Sequence, residues 1–200
     1  GYPDAKKVVA VLYSNGELCF EGEGDTIVFD ESDFPWRHYD EKKNYPIESV
    51  TFQEKVQPTN MDHWFKKNTN LTYVGSIPKS VKTMVGTFER CTSLKKMSDM
   101  SQCTELLNIS NAYEACYDLF YTYPIPASVT TAISTFEGCS ELQDTPDMTN
   151  ATGLINAEDM FLKCKKLTGV KMAPNVQNLR GTFKDCINLK DMPVIPASVE

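Results

Sequence analysis

The sequence predicts a solenoid of stacked coils closed at its N-terminus by a β-hairpin, on three observations. The first is a nine-residue segment, GTFERCTSL at 86–94, which returns in altered form as HWFKKNTNL (63–71), NAYEACYDL (111–119), STFEGCSEL (134–142), DMFLKCKKL (159–167) and GTFKDCINL (181–189). The shared pattern is aromatic-x-x-Cys-x-x-Leu, anchored by Phe65, Phe88, Tyr113, Phe136, Phe161 and Phe183 at steps of 23, 25, 23, 25 and 22 residues. Near-equal steps of this size mark a repeat array, in which no unit buries its apolar face alone and stacking does so. The second is an aliphatic residue seven positions before each anchor from Phe88 onward (Val81, Leu106, Val129, Leu154, Val176), which fixes the length of the back half of each coil. The third is that residues 1–45 do not fit the repeat and carry hairpin signals instead.

In that first stretch, Val8–Tyr13 and Glu17–Phe20 flank Ser14-Asn15-Gly16, and an Asn-Gly turn between two apolar runs is the strongest short-range hairpin signal. A second turn at 22–25 leads to Thr26-Ile27-Val28-Phe29, expected as a third short strand. The acidic stretch Asp30–Asp33 and the segment Phe34-Pro35-Trp36-Arg37-His38-Tyr39 read as a loop whose aromatics fold back. An exposed solenoid end must be covered, so residues 1–45 are expected to be the N-terminal β cap.

Residues 46–200 are expected to hold about six to seven coils of 22–25 residues, the last incomplete. Ile47–Phe52 is the first strand, and later strands open at Leu71, Leu94, Leu119, Leu142, Leu167 and Leu189. Second inward residues stand three positions on, at Val74, Met97, Thr122, Thr145, Val170 and Met192, and third ones at Ile77, Met100, Ile125, Met148, Met172 and Ile195. Proline closes several strands, at Pro78, Pro126, Pro174 and Pro196. The back segments alternate between Ile-Pro-x-Ser-Val (77–81, 125–129, 195–199) and longer Asp-Met loops (99–106, 147–154), and are expected to be irregular or 3₁₀-like.

Five of the seven cysteines, Cys91, Cys116, Cys139, Cys164 and Cys186, occupy one slot of the repeat, which the first copy fills with Asn68. A slot that accepts Cys or Asn wants a small group able to hydrogen-bond nearby backbone inside the coil. A ladder of free, parallel thiols is therefore expected rather than a disulfide framework. Cys19 and Cys103 lie outside it and either could be partly exposed.

The combination Leu-x-x-Val/Met, Ile-Pro-x-Ser-Val and Thr-Phe-x-x-Cys-x-x-Leu resembles the BspA-like leucine-rich repeat, matched at Phe88, Cys91, Leu94 and their equivalents through Leu189. The cap segment Gly16–Gly24, followed by Pro35-Trp36, is similar to those proteins as well. The resemblance implies a leucine-rich-repeat solenoid, a right-handed α/β-type coil with short parallel strands, and no transferable functional residues. It also implies a secreted or surface-anchored bacterial protein, used in adhesion and protein binding. Strands one residue longer than usual and the Asp-Met loops depart from the family pattern.

Net charge is −7, which argues against a nucleic-acid partner or an anionic membrane surface. The longest apolar run, Val8–Tyr13, is strand-sized, so no membrane insertion is expected of this chain. Residue 1 is Gly and no leader pattern opens the chain, so any signal peptide is expected to have been removed. The chain stops at Glu200, halfway through a coil, and is expected either to continue or to present an edge for end-to-end self-association.

Catalysis would have to be built from His38, His63 and a cysteine, none in a nucleophile or metal spacing, so no enzyme and no cofactor are expected. Asp30, Asp33, Asp99 and Asp147 are weak calcium candidates, lacking the dense alternation of a calcium loop. The sequons at Asn70, Asn108 and Asn150 are read as coincidental in a bacterial protein. The positions the repeat leaves free point outward on the strand face: Tyr73, Lys96, Tyr121, Tyr123, Asp144, Lys171 and Asp191. Curved solenoids bind partners on their concave face, so the expected role is a non-catalytic module binding extracellular protein or glycan. The alternative is a spacer or stalk. In the run Tyr117–Tyr123, Phe120 and some tyrosines are expected to pack between coils. An exposed aromatic or charged patch confined to a few coils would favour binding over spacing.

Overall fold

A computed structural model describes residues 7–26, 28–29, 34–36, 46–191 and 193–199. The hairpin forms as the Asn-Gly signal requires: β1 (Val8–Leu12) runs antiparallel to β2 (Glu17–Gly22), with Ala10 opposite Phe20. Gly16 turns the chain at φ 82°, a left-handed conformation glycine adopts without strain. Strand β2 then pairs in parallel with β3 (Ser49–Phe52), and β3 with β4 (Tyr73–Val74), giving the order β1-β2-β3-β4. The second hairpin strand thus stands where a preceding coil would. Residues 26, 28 and 29 belong to no strand, so the third strand expected there is not formed by the described residues. Ile27, Asp30–Asp33 and His38 lie outside them.

Phe34 and Trp36 are buried against the first coil. Trp36 packs its ring 5.1 Å from Phe20 and 5.2 Å from Trp64, and its indole N–H donates to the Trp64 carbonyl at 2.8 Å. In later coils the carbonyl just before the anchor accepts the preceding anchor's N–H, as Thr87 does from Phe65 at 2.9 Å and Ala112 from Phe88 at 2.8 Å. One side chain therefore supplies the donor that a missing coil would have supplied. Trp36→Phe keeps most of the ring but leaves that buried carbonyl unpaired, so a loss of about 1–3 kcal/mol is expected in urea unfolding.

The anchors form one column through the core. Successive rings lie 5.6 Å (Phe65–Phe88), 5.3 Å (Phe88–Tyr113), 5.6 Å (Tyr113–Phe136), 5.6 Å (Phe136–Phe161) and 5.9 Å (Phe161–Phe183) apart, all stacked. Beside this column runs the thiol ladder. The thiols of Cys91, Cys116, Cys139, Cys164 and Cys186 donate to the anchor carbonyls of Phe65, Phe88, Tyr113, Phe136 and Phe161, each one coil back, at 3.0–3.2 Å. The slot thus serves inter-coil bonding rather than its own loop. In the first coil Asn68 is buried in that slot, and its amide nitrogen has no partner among the described residues.

The turn around each anchor alternates its bonding. The N–H groups at the anchor and two residues to either side donate to the next coil, while those between close i→i+3 turns: His63, Phe65 and Lys67 reach Val85, Thr87 and Glu89, but Trp64, Lys66 and Asn68 fold back on Met61, His63 and Phe65. This alternation puts the residues two before and two after every anchor at positive φ, from His63 (60°) and Lys67 (67°) to Gly181 (66°) and Asp185 (61°). Glycine fills few of these positions; His, Asn, Ser, Asp, Lys, Arg and Ala fill the others at some conformational cost.

The back of each coil is built from turns. No α or 3₁₀ helix occurs among the described residues, so of the two expected forms the back segments take the irregular one, as runs of β-turns, and neither the 3₁₀ form nor the helix of an α/β-type coil is seen there. A ladder of parallel bridges links Asn60, Thr83, Asn108, Thr131, Asn156 and Asn178 without interruption. Four of these are asparagines whose side-chain oxygen accepts the N–H two residues on, at Asp62, Ser110, Glu158 and Arg180, at 2.7–3.0 Å. The strand-face ladder beyond β4 is broken instead, keeping only Lys96↔Tyr121 and Asp144↔Gly169 among the described residues. Pro124 and Pro146, standing in that segment, have no N–H to give it.

The motif serines lock neighbouring coils: Ser80, Ser128 and Ser198 donate to the carbonyls of Pro58, Leu106 and Val176 at 2.7–2.9 Å. Each acceptor stands seven residues before an anchor. Of the expected inward residues, Val74, Met97, Thr145, Ile77, Met100, Ile125 and Met148 are buried, whereas Thr122, Val170 and Met172 are only half-buried and Ile195 is exposed. Met192 lies outside the described residues.

Candidate functional site

With the core assigned to the anchor column, thiol ladder and inward aliphatics, the side chains left free on the strand face define the candidate site. Tyr73, Lys96, Tyr121, Asp144 and Asp191 each stand eight residues after an anchor and are exposed. Backbone pairing sets them coil against coil: Ser49↔Tyr73, Lys96↔Tyr121, Asp144↔Gly169. Tyr123 and Lys171 stand two residues further along their coils, Tyr123 half-buried against the core and Lys171 exposed.

The structure gathers only part of this set. The Lys96 ammonium lies 5.0 Å from the Tyr121 ring centre and 4.9 Å from that of Tyr123, and the two rings meet edge to face at 5.5 Å. Hydrogen bonding to the Tyr123 phenol raises the Lys96 pKa, with burial opposing and Tyr73 adding a smaller electrostatic pull in the same direction. Lys96 is thus held as a cation over an aromatic pair. Asp144 folds its carboxylate into the space that Gly169 leaves open. Lys171 pairs with Asp147 at 3.4 Å rather than with the tyrosine cluster, and among the described residues Asp191 does not join that cluster either.

The aromatic run of the third coil differs from expectation. Tyr117, Phe120 and Tyr121 are 49%, 58% and 48% exposed, so Phe120 does not pack between coils. The reason is register: Leu119 points into the core, and the next residue along the extended chain faces outward. Lys95, a coil earlier, is Phe120's neighbour, its carbonyl accepting the Phe120 N–H at 3.1 Å. Lys95 and Phe120 therefore join the surface that the outward-position rule identified incompletely, while Tyr117, two residues before Leu119, sets its ring near Gly138. The density of aromatics at 117–123 was the available signal.

The other chemical candidates are taken up by structure. Asp99 caps its loop by accepting the Ser101 N–H at 2.9 Å, and Asp147 accepts both the N–H and the hydroxyl of Thr149. These bonds lower the Asp147 pKa, the Thr149 hydroxyl contributing most. Asp30 and Asp33 lie outside the described residues. Among the described residues no three His, Cys, Asp or Glu side chains converge in a metal-binding group. Burial raises the pKa of Cys91, Cys116, Cys139 and Cys164, and pushes Cys103 up to about 12. Cys103 is fully buried and Cys19 half-buried; all seven cysteines are free. His63 sits two residues before the first anchor at positive φ, its ring against Gly86.

No family model matches the sequence, and no curated protein matches it. Among solved structures, the chain is similar to a leucine-rich repeat protein from Bacteroides ovatus ATCC 8483, with a TM-score of 0.53 over 92% of this chain and 15% identity. The chain has the leucine-rich-repeat fold. It spans 45% of the length of the Bacteroides ovatus protein. A leucine-rich repeat protein from Eubacterium ventriosum ATCC 27560 aligns over 98% of this chain and 91% of its own length, at 11% identity and a TM-score of 0.28. In leucine-rich-repeat terms, the cluster around Lys96 and Tyr121 lies on the face carrying the segment after each repeat's Leu. No described helix is long and apolar enough to cross a membrane.

Proposed function

We propose that this leucine-rich-repeat chain is a non-catalytic binding module of BspA-like type, working outside or on the surface of a bacterial cell. It binds protein or glycan in adhesion, without a cofactor. The working surface is the concave strand face of a right-handed coil, centred on Tyr73, Lys96, Tyr121 and Tyr123, with Asp144, Lys171 and Asp191 extending it. The observation that carries the reading is that Tyr117, Phe120 and Tyr121, all about half exposed or more, fall in one coil. Exposed aromatics cost solubility and recur where a partner covers them. A spacer or stalk gains nothing from concentrating them there.

The test is a panel of immobilised polysaccharides and extracellular matrix proteins, read with the native chain and with the double variant Phe120→Ser/Tyr121→Ser. Both positions are exposed, so circular dichroism is expected to be unchanged. At least one panel member should bind the native chain and lose about tenfold or more in affinity with the variant. Equal binding by both proteins, or none by either, would favour the spacer.

A further inference from the structure

We infer that the surface built by Lys95, Lys96, Phe120 and Tyr121 takes an acidic protein segment, peptide-borne carboxylates seating on the two lysines and an apolar side chain on Phe120. This rests on the binding-module reading above and adds the partner's chemistry.

The first support is unneutralised charge. Several exposed lysines elsewhere are matched to carboxylates: Lys82 to Glu105 at 2.8 Å, Lys163 to Glu137 at 3.1 Å, Lys166 to Glu141 at 2.6 Å and Lys171 to Asp147 at 3.4 Å. Lys67, Lys79, Lys165, Lys184 and Lys190 are exposed without such a pair among the described residues, but none of them adjoins a second unpaired lysine in the sequence. Lys95 and Lys96 join no such pair among the described residues, and Lys96 rests on tyrosine rings that hold its position but leave its charge. Two adjacent cations positioned this way form the complement of a carboxylate-bearing surface.

The second is the kind of apolar surface beside them. Phe120 is 58% exposed and carries no polar atom, so water gains nothing from it, and a partner's aliphatic or aromatic side chain buries it with profit. Tyr121, its neighbour in sequence, adds a large ring with a hydrogen-bonding tip. Exposed aromatics next to cations make the kind of anchor a protein partner uses. Most of the net charge of −7 opposes an acidic partner only weakly, because salt screens charges separated by more than about 8 Å under physiological conditions, and exposed Asp144, at the Tyr121 position one coil on, bounds the patch on that side. Contact affinity is set by the lysines at the patch.

The probe is a soluble random copolymer of glutamate and tyrosine, with polygalacturonate as the acidic saccharide counterpart, each measured by interferometry on the immobilised full chain. The copolymer should bind, and Lys95→Gln/Lys96→Gln and Phe120→Ser should each weaken it about tenfold, with added salt weakening it as well. Binding of polygalacturonate alone would overturn the peptide assignment in favour of a glycan. Copolymer binding that is unchanged in the lysine variant, or no binding of either polymer, would overturn it too. In each of those cases a panel partner still lost by Phe120→Ser/Tyr121→Ser would show that the partner chemistry was wrong and the binding face was not.

Discussion

Raising the pH from about 8 to about 11 under reducing conditions is expected to unfold the protein steeply. In an unfolded chain the thiols ionise near pH 8.5. In the fold, burial raises the pKa of Cys91, Cys103, Cys116, Cys139 and Cys164, and that of the Tyr113 phenol. A folded-state pKa above the unfolded one means that the stabilisation is fully present below the unfolded value. It is lost as pH rises through the window above it, because there the unfolded chain has released protons that the folded chain keeps. Each buried thiol then removes roughly 1 kcal/mol of stability per pH unit. With five acting together the alkaline transition should approach a five-proton steepness, followed by the fluorescence of Trp36 and Trp64. Cys139→Ala should reduce that steepness by about one proton. Stability unchanged up to pH 11 would mean that the thiols are not buried in the fold.

Phe136→Ala is expected to be the most damaging single core change, costing about 3–5 kcal/mol. Phe136 is fully buried and stacks at 5.6 Å and 4° on Tyr113 below and on Phe161 above. Removing the ring opens a cavity at the middle of the column, and in a solenoid each coil holds the next only through such interfaces. A fall in Tm of about 10 °C and a broader transition, as the two halves begin to unfold separately, are expected by calorimetry. Phe183→Ala is the comparison. Its ring is only half-buried and stacks on one side alone, so its loss should be clearly smaller. Equal costs at the two sites would contradict a column whose strength comes from stacking on both faces.

The elements readable in the sequence were those whose side chains repeat for a single reason. An anchor ring, a buried thiol and a strand-opening Leu each face one environment in every coil, so their spacing identified them. The left-handed positions were hidden, because what they share is a backbone conformation. His63, Asn111, Ser134, Asp159 and Lys163 have nothing else in common, and only an occasional glycine such as Gly86 marks the site. The back ladder was legible in principle: Asn60, Asn108 and Asn156 recur at every second coil and Asn178 one coil further, each capping the N–H two residues on. The Leu-led segment carries the apolar alternation of a strand and these polar positions do not, so the sequence pattern points to the former. Pro124 and Pro146 already argued against unbroken pairing there.

At the candidate site, the outward positions followed from subtraction of the core, and the structure leaves Tyr73, Lys96, Tyr121, Asp144, Lys171 and Asp191 exposed. Two things could not be subtracted. An aromatic residue inside a repeat reads as core until its register is known, which concealed Phe120. The seating of Lys96 over two tyrosines depends on side-chain directions across two coils, which spacing does not contain.

The measurement that tests the account most directly is a thiol titration with a small aromatic disulfide at neutral pH, in the folded protein and again after unfolding. The account assigns the five ladder cysteines and Cys103 to the interior and only Cys19 to a half-buried position. One thiol at most should react in the folded chain, and all seven should appear in the unfolded one. A ladder cysteine that reacts rapidly in the folded protein would contradict the buried seam, and with it the assignment of function to the strand face.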